Sequence, residues 1–160
     1  MSKIIRKIVY PGTFDPITKG HEDLISRAAR MFDVVTVAVA AGGGKKPLFT
    51  QNQRVQMAQD SLKSLENVTV DSFNGLLVEY LRVKHVSVVL RGIRTVSDFE
   101  YETQLAEMNR DLYENIETVF LSPAKKYMFV SASMVREIAS FQGDISKFVS
   151  PAVLLYFDNK

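Results

Sequence analysis

The chain has 160 residues, 46% of them hydrophobic and 24% charged, with a net charge of +2. That length and apolar content suit a single domain spanning 1–160 with a packed core, and exclude intrinsic disorder. So small an excess of Lys and Arg argues against nucleic acid as a partner, and the absence of cysteine removes disulfides, thiolate metal sites and cysteine nucleophiles together.

From the N-terminus, Met1 to Lys7 breaks its apolar residues with charge before a signal-peptide core can form. No later run approaches the roughly 18 apolar residues of a membrane span, so the expectation is a cytoplasmic chain with no membrane partner. Ile8-Val9-Tyr10 predicts a first strand, and Leu24, Ile25, Ala28, Ala29 and Phe32 recur at helical spacing behind it. A second strand is predicted over Val34–Val39, followed by a helix opened by a Thr50…Gln53 capping box and carrying Val55, Ala58, Leu62 and Leu65. Val68-Thr69-Val70 gives a third strand, and Leu76, Leu77, Tyr80 and Leu81 a third helix, with both leading leucines expected in the core. Val86–Leu90 gives a fourth strand. Behind it a Ser97…Glu100 capping box opens a helix predicted to bury the stripe Tyr101, Leu105, Met108, Leu112. Thr118–Leu121 is the fifth strand, and Met134, Val135, Ile138 and Ala139 form a helix closed by Gly143. Pro151 suits the first position of a last apolar helix through Val153 to Phe157, which packs on the core or on another subunit; Phe141 and Phe148 add possible surface.

Strand and helix alternate five times at the spacing of βαβ units. The fold class is therefore α/β, a doubly wound five-stranded parallel sheet with helices on both faces. Ligands of such sheets bind beyond the carboxyl ends of the strands, which directs attention to the residues there. After the first strand, Tyr10-Pro11-Gly12-Thr13-Phe14-Asp15-Pro16-Ile17-Thr18-Lys19-Gly20-His21 is a defined loop leading into a helix. Thr13 offers a hydroxyl and an N–H, Gly20 permits close approach, and His21 lies in the first helical turn, where the macrodipole favours an anion. A lone His there would otherwise be a solvent-facing side chain. Lys45, after Gly42-Gly43-Gly44, is on its own most simply a solvated loop lysine. Arg91 follows a buried Val-Val-Leu run and must find a carboxylate, an anion or water, with Gly92 leaving room beside it. Asp98, Glu102 and Asn109 fall within about 40° of one another around a helix. Tyr127 to Ser133 leads into a helix with hydroxyls and free N–H groups, Arg136 and Glu137 lying a turn further on.

Thr18-Lys19-Gly20-His21 matches the (H/T)xGH signature of the nucleotidylyltransferase superfamily, and the whole run from Tyr10 to His21 resembles the opening of the bacterial phosphopantetheine adenylyltransferases. Lys45-Lys46-Pro47, Arg91-Gly92-Ile93-Arg94, Asp98 to Glu102, Met108-Asn109-Arg110 and Val130 to Ser133 resemble that family's later blocks in order and spacing. The resemblance implies a Rossmann-like nucleotidylyltransferase fold. It also implies an enzyme that moves the adenylyl group of ATP to 4′-phosphopantetheine by direct in-line displacement, giving dephospho-coenzyme A and pyrophosphate in the penultimate step of coenzyme A biosynthesis. Since a phosphate monoester is already largely ionised at neutral pH, such a site needs positioning and charge cancellation more than proton removal.

On the same resemblance, His21 stabilises the transition state, Thr13 bridges ATP and acceptor, and Lys45 and Arg91 hold the acceptor phosphate. Leu77, through its backbone, and Asn109 contact the pantetheine arm. Phe14, Gly92, Ile93, Arg94 and Glu102, with Tyr127, Met128, Phe129, Val130, Ser131, Ala132 and Ser133, bind ATP. The resemblance further implies Mg²⁺ carried by the triphosphate rather than by protein metal ligands, a homohexamer, and coenzyme A as a feedback ligand. Ala132 departs from the family by lacking a hydroxyl, and Gly43-Gly44 departs in the loop before the lysine. Competing readings are a nucleotidylyltransferase for nicotinamide mononucleotide or glycerol phosphate, a nucleotide sensor without turnover, and a tRNA synthetase fragment. The Lys45, Arg91 and Asn109 blocks weigh against the first, and the length and charge against the last.

Overall fold

The computed structural model describes residues 4–43 and 46–158. Its elements run β1 (Lys7–Gly12), α1 (Lys19–Met31), β2 (Val34–Ala40), α2 (Gln51–Leu62), β3 (Val68–Phe73), α3 (Leu77–Lys84), β4 (Val88–Gly92), α4 (Val96–Leu112), β5 (Glu117–Leu121), α5 (Ala132–Ser140) and α6 (Pro151–Asp158), with a single 3-10 turn at Lys125–Tyr127. The five strands form one parallel sheet in the order β3-β2-β1-β4-β5. The chain winds outward from β1 to β3, then crosses back to β4 and β5 on the other side. The order therefore reverses between β1 and β4, where such sheets open a crevice for ligands.

The alternation of side chains along the strands divides the core into two layers. Ile8 and Tyr10 of β1 and Val35, Val37 and Val39 of β2 pack against Leu24, Ile25, Ala28, Met57, Ala58, Val135 and Val153 from α1, α2, α5 and α6. On the opposite face Val9, Ala38 and Val89 meet Val78 and Leu81 of α3 together with Ile116. This second layer is smaller. Thr18 and Thr50 each accept the N–H of the residue three further on, and His21 and Gln53 reciprocate, so both α1 and α2 begin with full capping boxes. Among the described residues no helix is long and apolar enough to cross a membrane.

Several boundaries differ from the sequence reading. β1 and β3 run on to Gly12 and Phe73, while β4 starts only at Val88. Residues His85 and Val86 are consumed in closing α3: His85 takes a left-handed conformation and Val86 donates its N–H back to Leu81. Helix α4 is capped by Thr95 and not by Ser97, because the Thr95 hydroxyl accepts the Asp98 N–H while the Asp98 carboxylate accepts that of Arg94. Gly143 does not hold the left-handed position after α5. Gln142 does, at φ 61, with Gln142 and Gly143 returning their N–H groups to Ala139 and Ile138. Gly143 is nonetheless required, since a Cβ there would lie 2.6 Å from the Ile138 Cγ2.

Of the stripe expected to be buried on α4, Tyr101, Met108 and Leu112 are exposed and Leu105 is half-buried; Val96 and Phe99 are exposed as well, and the one buried residue of the helix is Glu102. The helix meets the sheet through that carboxylate, held by Arg91 of β4, and through Phe99, which packs edge-on against Phe120 of β5 at 6.0 Å. Leu76 is likewise exposed, because it precedes α3 instead of facing inward. In the last helix Val153 is fully buried and Tyr156 and Phe157 pack edge-on against Phe49, so the tail closes the core of its own chain and leaves Leu155 outside.

Candidate active site

Over the carboxyl ends of β1 and β4 lies an open cleft of about 530 Å³. Its floor is the loop after β1, with Thr13, Phe14, Thr18, Gly20 and His21; Lys46 and Pro47 rise on one side, and Tyr127 and Val130 to Ser133 with Arg136 on the other. Arg91, Gly92, Arg94, Asp98 and Glu102 close the back.

His21 is oriented by its own capping box. Its Nδ1 accepts the Thr18 backbone N–H at 3.0 Å and lies 3.1 Å from the Thr18 hydroxyl. A nitrogen that accepts an N–H carries no proton, so the ring proton sits on Nε2. Phe14 and Tyr10 pack edge-on against the ring, Phe14 itself being held at φ 48. Burial, then the Arg94 and Arg91 cations, push the imidazole pKa down to about 4. The free site therefore holds a neutral imidazole with one N–H to offer. Tyr10 is pushed up to about 12, chiefly by burial, and stays a phenol.

Arg91 is held in a fork. Nε and Nη2 donate to the two Glu102 oxygens at 2.6 and 2.7 Å, and Nη1 donates to the Pro11 carbonyl at 2.9 Å. Burial disfavours the cation, and the Glu102 carboxylate more than offsets this, raising the Arg91 pKa. Next to it Gly92 has no room for a side chain, since a Cβ would fall 2.8 Å from Leu24 Cδ1 and 3.4 Å from the Tyr10 hydroxyl. Arg94 lies 3.5 Å from the Asp98 carboxylate and donates to the Val130 carbonyl at 3.0 Å, linking α4 to the loop before α5.

The loops at either side are tied down separately. Asp15 is buried and its carboxylate accepts the N–H groups of Leu48 and Phe49 at 2.8 and 3.0 Å, fastening the loop after β2 to the loop after β1. Asp23 accepts the Ala124 N–H at 2.9 Å and Arg27 donates to the Ser122 carbonyl at 2.6 Å, fastening the loop after β5 to α1. Ser131 caps α5 by accepting the Met134 N–H, which leaves the Ala132 and Ser133 N–H groups ahead of the first intrahelical bonds and at the edge of the cleft. Arg136 lines the same edge and donates to the Asp15 carbonyl at 2.6 Å.

Of the residues singled out in the sequence, Thr13, Phe14, His21, Arg91, Gly92, Arg94, Glu102, Tyr127, Val130, Ser131, Ala132 and Ser133 meet around this cleft. Ile93, Met128, Phe129, Leu77 and Asn109 lie outside its lining, with Phe129 83% exposed. Lys45 falls outside the described residues. Glu102, read as an ATP ligand, has both carboxylate oxygens on Arg91. Tyr10, Asp15, Thr18 and Lys46, which stand in the sequence motifs without an assigned role, also line the cleft. Only Thr18 carried a recoverable signal, since Thr18…His21 has the spacing of a capping box with a histidine in the usual Glu/Gln position.

A parallel sheet with a cleft at its switch point, floored by a histidine-bearing helix start and ringed by arginines, defines a nucleotidyltransferase-type α/β protein, and the chain belongs to the cytidylyltransferase-like family, which matches residues 9–138. The fold is shared with a solved structure from Vibrio parahaemolyticus described as a nicotinate-nucleotide adenylyltransferase, at a TM-score of 0.71 and 16% identity over 97% of this chain and 93% of that one. Within the family it is one of the phosphopantetheine adenylyltransferases: it is 56% identical to the one from Azoarcus sp. (strain BH72) over 95% of this chain and 93% of that protein. Its identity to that of Methylobacillus flagellatus is 58%, over 92% of each chain.

Proposed function

We propose that this cleft joins ATP and 4′-phosphopantetheine, transferring the adenylyl group to the acceptor phosphate with release of pyrophosphate. The observation that carries the reading is His21: a neutral imidazole, its tautomer fixed by Thr18, at the N-terminus of α1 and between the loops that flank the cleft. A donor set in advance needs no reorganisation as negative charge develops on the departing pyrophosphate, and there it acts more strongly than in the ground state. Arg94, Arg136 and the N–H groups that open α5 suit the triphosphate on one side; Thr13, Arg91 and the Lys45-Lys46 loop suit the acceptor phosphate on the other. A Cβ on Gly20 would make only ordinary contacts, no closer than 3.6 Å, so protein packing does not demand glycine there, which accords with a phosphate approaching the backbone at that point. The Arg91–Glu102 fork aims a guanidinium at the acceptor while keeping it charged.

Among the described residues no three His, Cys, Asp or Glu side chains are grouped to hold a metal. The cleft carboxylates Asp15, Asp98 and Glu102 are engaged with backbone N–H groups or arginine. That donor set fits a Mg²⁺ held by the nucleotide, where it would supply neutralisation of triphosphate charge. Coenzyme A, which contains the acceptor arm, is expected to compete for the same cleft, and the cytoplasm is the expected setting. The bare apolar face of α4 supports the hexamer that the family resemblance implies; sedimentation at a stable 18.0 kDa would refute it. The deciding assay measures pyrophosphate release from ATP with phosphopantetheine beside ATP with nicotinamide mononucleotide. Preference for the second acceptor, or ATP binding without release, would replace the reading by its rivals.

A further inference from the structure

Among the described residues Arg54 is the largest fully buried side chain, at 0% exposure, and it does not line the cleft. It lies in the first turn of α2, where the helix dipole disfavours a cation, and among the described residues its guanidinium forms no ion pair. Burial lowers its pKa and the Asp15 charge opposes this from a distance. A charge placed so expensively calls for a reason other than packing.

Its contacts supply one. Nη1 donates to the carbonyls of Thr13 and Ala40 at 2.6 and 2.7 Å, Nη2 to Ala41 at 2.7 Å, and Nε to Phe49 at 3.1 Å. These four carbonyls belong to the loop after β1 and to the end of β2 with the loop that follows it. Asp15 holds the second loop by its N–H groups, at Leu48 and Phe49, while Arg54 holds it by its carbonyls. The segment between those anchors carries Lys46. Gly42 lies so close beneath Pro47 that a Cβ on it would fall 2.9 Å from the proline Cγ, so the two ends of the segment meet with little slack. No other described side chain makes hydrogen bonds to both Thr13 and this loop.

We propose that Arg54 is the positioning residue of the acceptor side, fixing from beneath the cleft the register between Thr13 and the lysine-bearing loop that together receive the acceptor phosphate. The inference rests on the adenylyl-transfer reading above. The ATP side has further anchors of its own in Asp23, Arg27 and Arg94, none of which bonds to Arg54. A lysine in its place offers one point of attachment where the guanidinium spans three segments.

The test is steady-state kinetics of Arg54→Lys and Arg54→Gln, each first shown to be folded by circular dichroism and thermal melting. Both variants are expected to raise the phosphopantetheine KM by about tenfold while moving the ATP KM by less than about twofold, since an ångström of misplacement costs that much or more. A merely structural role would lower the melting temperature and leave the two KM values unchanged or moved together; either result overturns the inference. Wild-type protein that releases no pyrophosphate with phosphopantetheine would instead overturn the reading of function, and the inference with it.

Discussion

Replacing His21 by Gln should change how stability depends on pH. The Gln side chain can accept the Thr18 N–H as Gln53 accepts that of Thr50 in α2, so the start of α1 is preserved while the titrating group is removed. In the folded protein the His21 pKa lies near 4, against 6.5 for an unperturbed histidine. Between these values the unfolded chain binds a proton that the folded one refuses. Stability therefore rises with pH through that window, carries no penalty above about pH 6.5, and bears the full penalty below about pH 4. At about 1.4 kcal/mol per pH unit the full difference is about 3 kcal/mol, of which about 2 has appeared by pH 5. Urea unfolding at pH 7.5 and pH 5 is the assay. The wild type should lose about 2 kcal/mol more than His21→Gln across that interval, other titrating groups acting alike in both. Parallel losses would show that the imidazole is not buried against Arg94 and Arg91, and the account of a neutral donor would fall.

Glu102→Ala should lower stability by about 2 kcal/mol or more by leaving the Arg91 guanidinium half-buried without its carboxylate; an unchanged urea midpoint would contradict the fork. Gln142→Gly should stabilise by about 1 kcal/mol, as a glycine accepts φ 61 without the steric cost a side chain bears; a lower melting temperature would contradict that backbone reading. If transfer is direct, labelled pyrophosphate should not exchange into ATP until phosphopantetheine or dephospho-coenzyme A is added, and configuration at the α-phosphorus should invert. Robust exchange with ATP and Mg²⁺ alone would require an adenylyl-enzyme.

The sheet and its strand count were legible because β-branched runs and helical spacings alternate so regularly, and the cleft because residues after β1 and β4 had to converge once the winding was known. What escaped were contacts made across the chain. Thr95 and Ser97 are equivalent as caps until the Asp98 carboxylate, which receives the Arg94 N–H, is seen to set the frame. The α4 stripe has the spacing of a buried face, and periodicity does not tell whether anything covers it. Arg54 carries no signal of its role in the sequence, since no local pattern announces four carbonyls waiting from distant segments.

The seam between β1 and β4 has a further consequence for how the molecule is assembled. Strands β1, β2 and β3 pair in chain order over the first 73 residues, but β4 must return to the middle of the sheet, and the Arg91 bond to Pro11 joins residues 80 apart. Non-local pairing of that kind forms slowly, and the register across it is thin, with Val9 opposite Val89 the one ladder pair. The cleft stands directly on that join. A nascent chain can complete one wing of the sheet while still lacking any place for a nucleotide, and a loosening that parts the two wings dismantles the site while leaving most strand pairs intact.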